Sequence, residues 1–171
     1  MPKSSLRVVA ACGLLLLGLA ASESQAALPA PSGPVLLSVT GKIAETNGEG
    51  RAEFDRQMLE ALGTVRLQTW TPWTDDVVEF EGVPAARLLD AVGAAGNVLL
   101  ALASNEYSVE IPVDLVRAYP VILAMSMDGK QLRLRDKGPL WIVMPWSDYP
   151  ELDSEQSRYW SVWQLRLIDV R

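Results

Sequence analysis

Beyond one unbroken apolar run at residues 8–20, the hydrophobic positions of this chain fall into short stretches whose period alternates between that of a strand and that of a helix. Residues 35–39 read as a first strand, ended by Gly41 and by a turn-rich stretch at 46–50. Phe54, Met58, Ala61 and Leu62 recur at i, i+4, i+7 and i+8, which predicts a helix over 52–62 closed by Gly63. A short strand follows at 65–69. Pro84 fits the first position of a second helix, whose stripe of Ala85, Leu88, Leu89 and Val92 stops at Gly93. The continuous apolar run at 98–103 predicts a strand buried on both faces. Tyr107, Val109 and Ile111 alternate with Ser108 and Glu110 as in a half-buried strand, and 112–118 forms a short helical turn. Residues 121–125, the turn pair Asp128-Gly129, and Leu132 and Leu134 alternating with Arg133 and Arg135 predict a hairpin. Buried strands at 141–144 and 161–170 complete the pattern. Many strands with few, short helices give an α+β class with a mixed, mainly antiparallel sheet.

The apolar run at 8–20 follows Lys3 and Arg7 and precedes Ser24-Gln25-Ala26, small residues where a signal peptidase reads. Residues 1–26 are therefore expected to be a cleaved signal peptide, since the run is shorter than the ~20 residues of a spanning helix. This expectation makes the mature chain periplasmic, with no insertion into the membrane after cleavage. Residues 27–34, rich in Pro, Ala and Ser, read as a short tether, and 35–171 as one domain.

Composition sharpens the choice of chemistry by what it lacks. The chain of 171 residues has no histidine, and its one cysteine, Cys12, lies in the leader. Ser-His-Asp and Cys-His catalysis, imidazole or thiolate metal sites, disulfides and redox cysteines are all removed together. Carboxylates, amides, hydroxyls, guanidinium groups and six tryptophans remain, a set better suited to binding than to turnover. Of 15 basic and 21 acidic residues, loss of Lys3, Arg7 and Glu23 with the leader leaves 13 and 20, a net charge of −7. Such a surface argues against nucleic acid and anionic lipid.

Candidate binding residues cluster in four islands. Trp70, Thr71 and Trp73 follow a strand in an irregular stretch, where two indoles invite a planar guest and the backbone has polar groups to spare. The competing role for these tryptophans is to cap the core. Asn105 and Glu106 stand at the end of the 98–103 strand, where an amide and a carboxylate could read the edge of a heterocycle, or Asn105 could simply make a turn. Tyr107 adjoins them. The other islands are Gly138-Pro139-Leu140-Trp141 and residues 159–164, which carry Trp160 and Trp163. Arg133 and Arg135 read as solvated charges guarding a sheet edge, and the acidic group Asp148, Glu151, Asp153 and Glu155 as a solvated loop.

Read in order, Phe80-Glu81-Gly82-Val83-Pro84 before Leu88-Leu89, Tyr107 with Ile111-Pro112, Asp128-Gly129, Gly138-Pro139-Leu140 with Met144-Pro145, and Trp163 with Ile168 resemble the molybdopterin-binding domain of the sulfite oxidase superfamily. Enzymes of that superfamily hold molybdenum with a cysteine thiolate in the loop corresponding to residues 69–73, which here carries threonine and tryptophan. Many also place an arginine for the cofactor's phosphate where this chain has Trp141. The variant pattern Thr71-Pro72-Trp73-Thr74, Asn105-x-Tyr107, Lys137-Gly138-Pro139-Leu140-Trp141 and Trp163-Gln164-Leu165 is similar to the PruR-type periplasmic pterin-binding proteins.

That resemblance implies a non-enzymatic regulator that binds a free, reduced pterin without molybdenum. It also implies a partner, the periplasmic region of an inner-membrane GGDEF/EAL-type protein that makes or degrades cyclic di-GMP. In this reading Trp73 or Trp70 stacks on the ring, Asn105 and Thr71 contact its rim, and Tyr107 and Trp141 line the pocket. The alternative is a molybdopterin-dependent oxidoreductase using an unconventional ligand such as Thr71 or Asp75. A third reading is a partner-binding module whose pocket is vestigial.

Overall fold

The computed structural model describes residues 28–171. The expected signal peptide, with Cys12, lies outside the described residues. Two five-stranded sheets carry four short helices. In the first sheet, β1 (Leu37–Gly41) runs parallel to β10 (Leu165–Val170), while β2 (Ala52–Phe54), β5 (Val98–Ala103) and β6 (Ser108–Pro112) pair antiparallel, in the order β2-β1-β10-β5-β6. The second sheet has β3 (Val65–Thr69), β4 (Val78–Pro84) and β7 (Ile122–Met127) in line. Beyond β7 lie β8 (Lys130–Gln131) and β9 (Trp141–Val143), which share its far edge, and every pair in this sheet is antiparallel. The class is the mixed, mainly antiparallel α+β arrangement expected. Among the described residues, no helix is long and apolar enough to cross a membrane.

The second sheet is buried on both faces because its side chains alternate between two apolar clusters. Val83, Leu123, Met125 and Ile142 enter the large core with the first sheet, α1 (Arg56–Ala61), α2 (Ala85–Ala91) and α3 (Val113–Ala118). Phe80, Ile122, Ala124, Trp141 and Val143 point the other way, into a smaller cluster closed by Leu67 and Leu132. Trp73 touches both clusters.

Several elements differ from the sequence reading. The expected helix at 52–62 divides in two, because Asp55 has an extended backbone and its carboxylate caps the Met58 amide at 2.9 Å, so the helix starts only at Arg56. Before it, Ala52 and Phe54 face the core with a strand's period, paired to Val39 and Leu37. Strand β4 was not anticipated, since only Pro84 was read locally there, as a helix start; the strand exists because β3 and β7 pair with it on both sides. Pro84 ends that strand as the residue before α2 rather than as its first helical residue. Strand β5 is buried on alternate residues, not on both faces. Residues 132–135 do not form a strand: β8 stops at Gln131, and Leu134–Asp136 is a 3-10 turn with Leu134 exposed. Within the acidic group expected to be a solvated loop, a 3-10 turn (Pro150–Leu152) leads into α4 (Glu155–Trp160), started by a reciprocal Ser154–Ser157 capping box. The final strand begins at Leu165, four residues later than expected. Residues 32–33 of the expected tether are fixed to the domain, their amides donating to Asp55 at 2.7 and 2.8 Å.

Candidate ligand-binding site

A cleft of about 290 Å³ opens among the β5–β6 turn, α4 with the stretch after it, and the loop after β3. One wall comes from the end of β5 and the turn after it, through Ala103, Asn105 and Tyr107. Facing it are Arg158 and Tyr159 of α4 and the irregular stretch Ser161, Val162 and Trp163 that leads into β10. Trp73, from the loop after β3, completes the cleft. Trp73 and Trp163 meet edge to face with ring centroids 5.1 Å apart and planes at 85°. The lining is mostly apolar, a setting in which a flat ring loses water on both sides.

Each of the six residues singled out from sequence has a definite place. Trp73, Asn105 and Tyr107 line the cleft together. Thr71 lies beneath it, buried, with its polar atoms used inside its own turn: its amide donates to Thr74 Oγ1 at 2.9 Å and its hydroxyl accepts from the Trp73 amide at 3.2 Å. Thr71 therefore sets the pose of Trp73 instead of facing the cleft. Trp70 packs on Trp146 at 5.9 Å, and its amide donates to Ser147 Oγ. Trp141 is buried in the smaller cluster, its indole N–H donating to Ser161 Oγ at 2.9 Å. It lies behind the wall and does not form part of the cleft lining. Among the described residues, no group of three or more His, Cys, Asp or Glu converges to hold a metal, and this includes Asp75.

The sequence reading did not name Arg158, Tyr159, Ser161, Val162 or Trp163 as site residues, although four of these five stood in its fourth aromatic island. What they share is only that α4 and the stretch after it face the β5–β6 connection, which no local pattern encodes. Tyr107 donates its hydroxyl to the Tyr159 carbonyl at 3.0 Å, and Trp160 donates its indole N–H to the Glu110 carbonyl at 3.0 Å, tying the two walls together.

Polar capacity in the cleft is sparse and specific. Asn105 accepts from the Tyr107 amide at 3.1 Å, so the turn role and the cleft position coexist, and its Nδ2 has no partner among the described residues. Arg158 holds Asp153 at 2.9 Å through one nitrogen, leaving other donors of its guanidinium fork. Ser161 is satisfied by Trp141 and by the Ile142 carbonyl. Burial, with a smaller contribution from Tyr159, pushes the Tyr107 phenol up, and the Glu155 carboxylate beside Tyr159 does the same there. Both phenols stay neutral near pH 7.

The donor set does not fit a thiolate-held molybdenum, because residues 13–171 contain no cysteine and the chain no histidine. Its indole faces, one open amide and one guanidinium do fit a flat bicyclic ring with a polar edge, of the pterin kind.

The model of the family described as oxidoreductase molybdopterin binding domain matches residues 42–148. The match takes in Trp73, Asn105 and Tyr107 and ends before the 158–163 wall. Among solved structures, the sulfane dehydrogenase SoxCD from Paracoccus pantotrophus shares the fold with a TM-score of 0.57 at 19% identity, over 78% of this chain and 37% of that one. This chain thus spans little more than a third of that protein's length. No curated protein sequence matches the chain. With the family pattern running from the end of β1 to the loop after β9, the chain belongs to the oxidoreductase molybdopterin-binding domain family, of the sulfite oxidase superfamily.

Proposed function

We propose that this chain is a pterin-binding protein that takes a free, reduced pterin in the Trp73–Trp163 cleft without molybdenum. The observation that carries the reading is the pairing of two indoles on an apolar cleft with the unpartnered Asn105 amide at its rim, in a domain of a pterin-cofactor family. A pterin presents a flat face to the indoles and a guanidine-like edge with acceptor nitrogens to Asn105 Nδ2. In this proposal the protein acts in the periplasm as a regulator. Its ligand-bound form docks on the periplasmic region of an inner-membrane GGDEF/EAL-type protein, and ligand binding favours one arrangement over another by a few kcal/mol. The resemblance of residues 71–74, 137–141 and 163–165 to PruR-type proteins supports the partner and the compartment.

Isothermal titration of residues 27–171 with a tetrahydropterin tests the ligand. Saturable binding at one site is expected, and no heat at high micromolar pterin overturns it. Family membership favours a second reading, a molybdopterin-dependent oxidoreductase. Elemental analysis of protein taken from its native cells separates the two, because stoichiometric molybdenum belongs only to the enzyme.

A further inference from the structure

Beyond the back of the Trp163 wall lies a patch whose charge opposes that of the molecule. Residues 130–137 hold Lys130, Arg133, Arg135 and Lys137 against one carboxylate, Asp136, in a chain whose net charge is −6. The Arg133 and Arg135 side chains are 62% and 71% exposed, and Leu134 between them is 60% exposed. Guarding a sheet edge does not account for these arginines, because β8 ends at Gln131 and they stand on the turn beyond it. The turn is braced: the Asp136 and Gly138 amides both donate to the Arg133 carbonyl at 2.8 Å, and Arg133 holds Asp136 at 2.6 Å.

The brace continues into the cleft. Gln164, next to Trp163, donates through Nε2 to the Leu134 carbonyl at 2.9 Å and through its amide to the Lys137 carbonyl at 3.0 Å. Lys137 in turn places its ammonium 5.8 Å from the Trp163 ring centroid and 5.5 Å from that of Trp141. Gln164 and Lys137 both have left-handed backbones, at φ 53° and 70°, a conformation that persists in such residues only where the surroundings hold it. A shift of the Trp163 ring on ligand binding therefore has a short, rigid route to the Leu134 turn.

We propose that residues 130–137 form the docking surface for an acidic protein partner, and that occupancy of the cleft reaches this surface through Gln164 and Lys137. The ligand part rests on the pterin reading above, and the surface names where that reading's signal leaves the molecule. An acidic protein is the occupant that the charge favours. An anionic bilayer is disfavoured, because the acidic remainder of the chain would be repelled from it. A second copy is disfavoured because a basic turn on an acidic face elsewhere is a head-to-tail contact that closes only in a ring.

The test is photo-crosslinking in the native cells with benzoylphenylalanine at position 134, and at the equally exposed Val77 as control. The expected result is one protein adduct from position 134, absent from 77, reduced at least tenfold by R133E/R135E and changed in yield when the cells are depleted of pterin. No adduct, equal adducts at both positions, adducts only to this chain, or binding of the purified protein to phosphatidylglycerol vesicles each overturns the docking surface. An adduct whose yield ignores pterin overturns the coupling. Titration of the unmutated chain with a tetrahydropterin keeps the two readings apart: binding with no adduct from position 134 defeats only the surface, whereas absence of binding defeats the ligand reading.

Discussion

Trp73 and Trp163, drawn from loops in opposite halves of the chain, pack edge to face 5.1 Å apart and together supply the aromatic wall of the cleft. Trp73 is also held from behind by Trp141 and Trp146, at 5.9 and 6.3 Å, whereas Trp163 meets Trp141 alone of these, at 6.5 Å, and Lys137. The two indoles thus differ in how far each can be altered without disturbing the core.

Trp163→Ala should weaken tetrahydropterin binding by about 1–3 kcal/mol, roughly 5- to 150-fold, as for loss of a stacking aromatic elsewhere. Trp73→Phe keeps most of the packing and should give a smaller loss. Isothermal titration of variants whose circular dichroism matches that of the unmutated chain reads both. Unchanged affinity in Trp163→Ala would place the ligand elsewhere.

Trp141→Phe acts on the fold and not directly on the cleft. It removes the indole donor to Ser161 Oγ, a buried group whose loss of a partner costs about 1–3 kcal/mol. Lost ring volume adds to that. The urea midpoint should fall, while affinity for pterin changes far less than in Trp163→Ala.

Asp55 gives the chain a defined response to acid. Its carboxylate accepts from the Met58, Gly33 and Ser32 amides and the Ser32 hydroxyl, which hold its pKa down from 3.8 to about 2. A depressed carboxylate pKa stabilises the fold fully above the ordinary value, and that contribution is lost as pH falls from about 3.8 toward 2. Urea unfolding at pH 7 and at pH 2.5 should therefore show a drop in stability that is smaller in Asp55→Asn. The variant should also be the less stable protein at pH 7.

Gly82 sits in β4 where the register to β7 shifts, and a Cβ there would collide with the Leu123 carbonyl and with Ala124 Cα at 2.6 Å. Gly82→Ala should therefore destabilise the domain by about 1–3 kcal/mol or more, as overpacking does, because the atoms in the way are strand backbone and not a side chain that could yield. Yield of soluble protein and the thermal midpoint check it, and a variant of unchanged stability would show that the two strands part easily.

The sequence alone settled the class, most strands, the second helix and the absence of sulfur and imidazole chemistry from residues 13–171, because period, turn residues and composition are local quantities. It also marked Trp73, Asn105 and Tyr107, which stand beside turns whose residues announce themselves. It did not mark β4, a strand that exists because both neighbours pair with it. Nor could it separate Trp163, which lines the cleft, from Trp141, which lies behind it. Both are indoles next to apolar residues, and only the direction in which the packed sheets turn each ring decides which one meets solvent. The far wall, from Arg158 to Trp163, depends on α4 folding back over the β5–β6 turn through Tyr107 and Trp160, contacts between residues about fifty apart in sequence. Such closure is decided by the tertiary structure, because the gain comes from surfaces that meet only once the chain has folded.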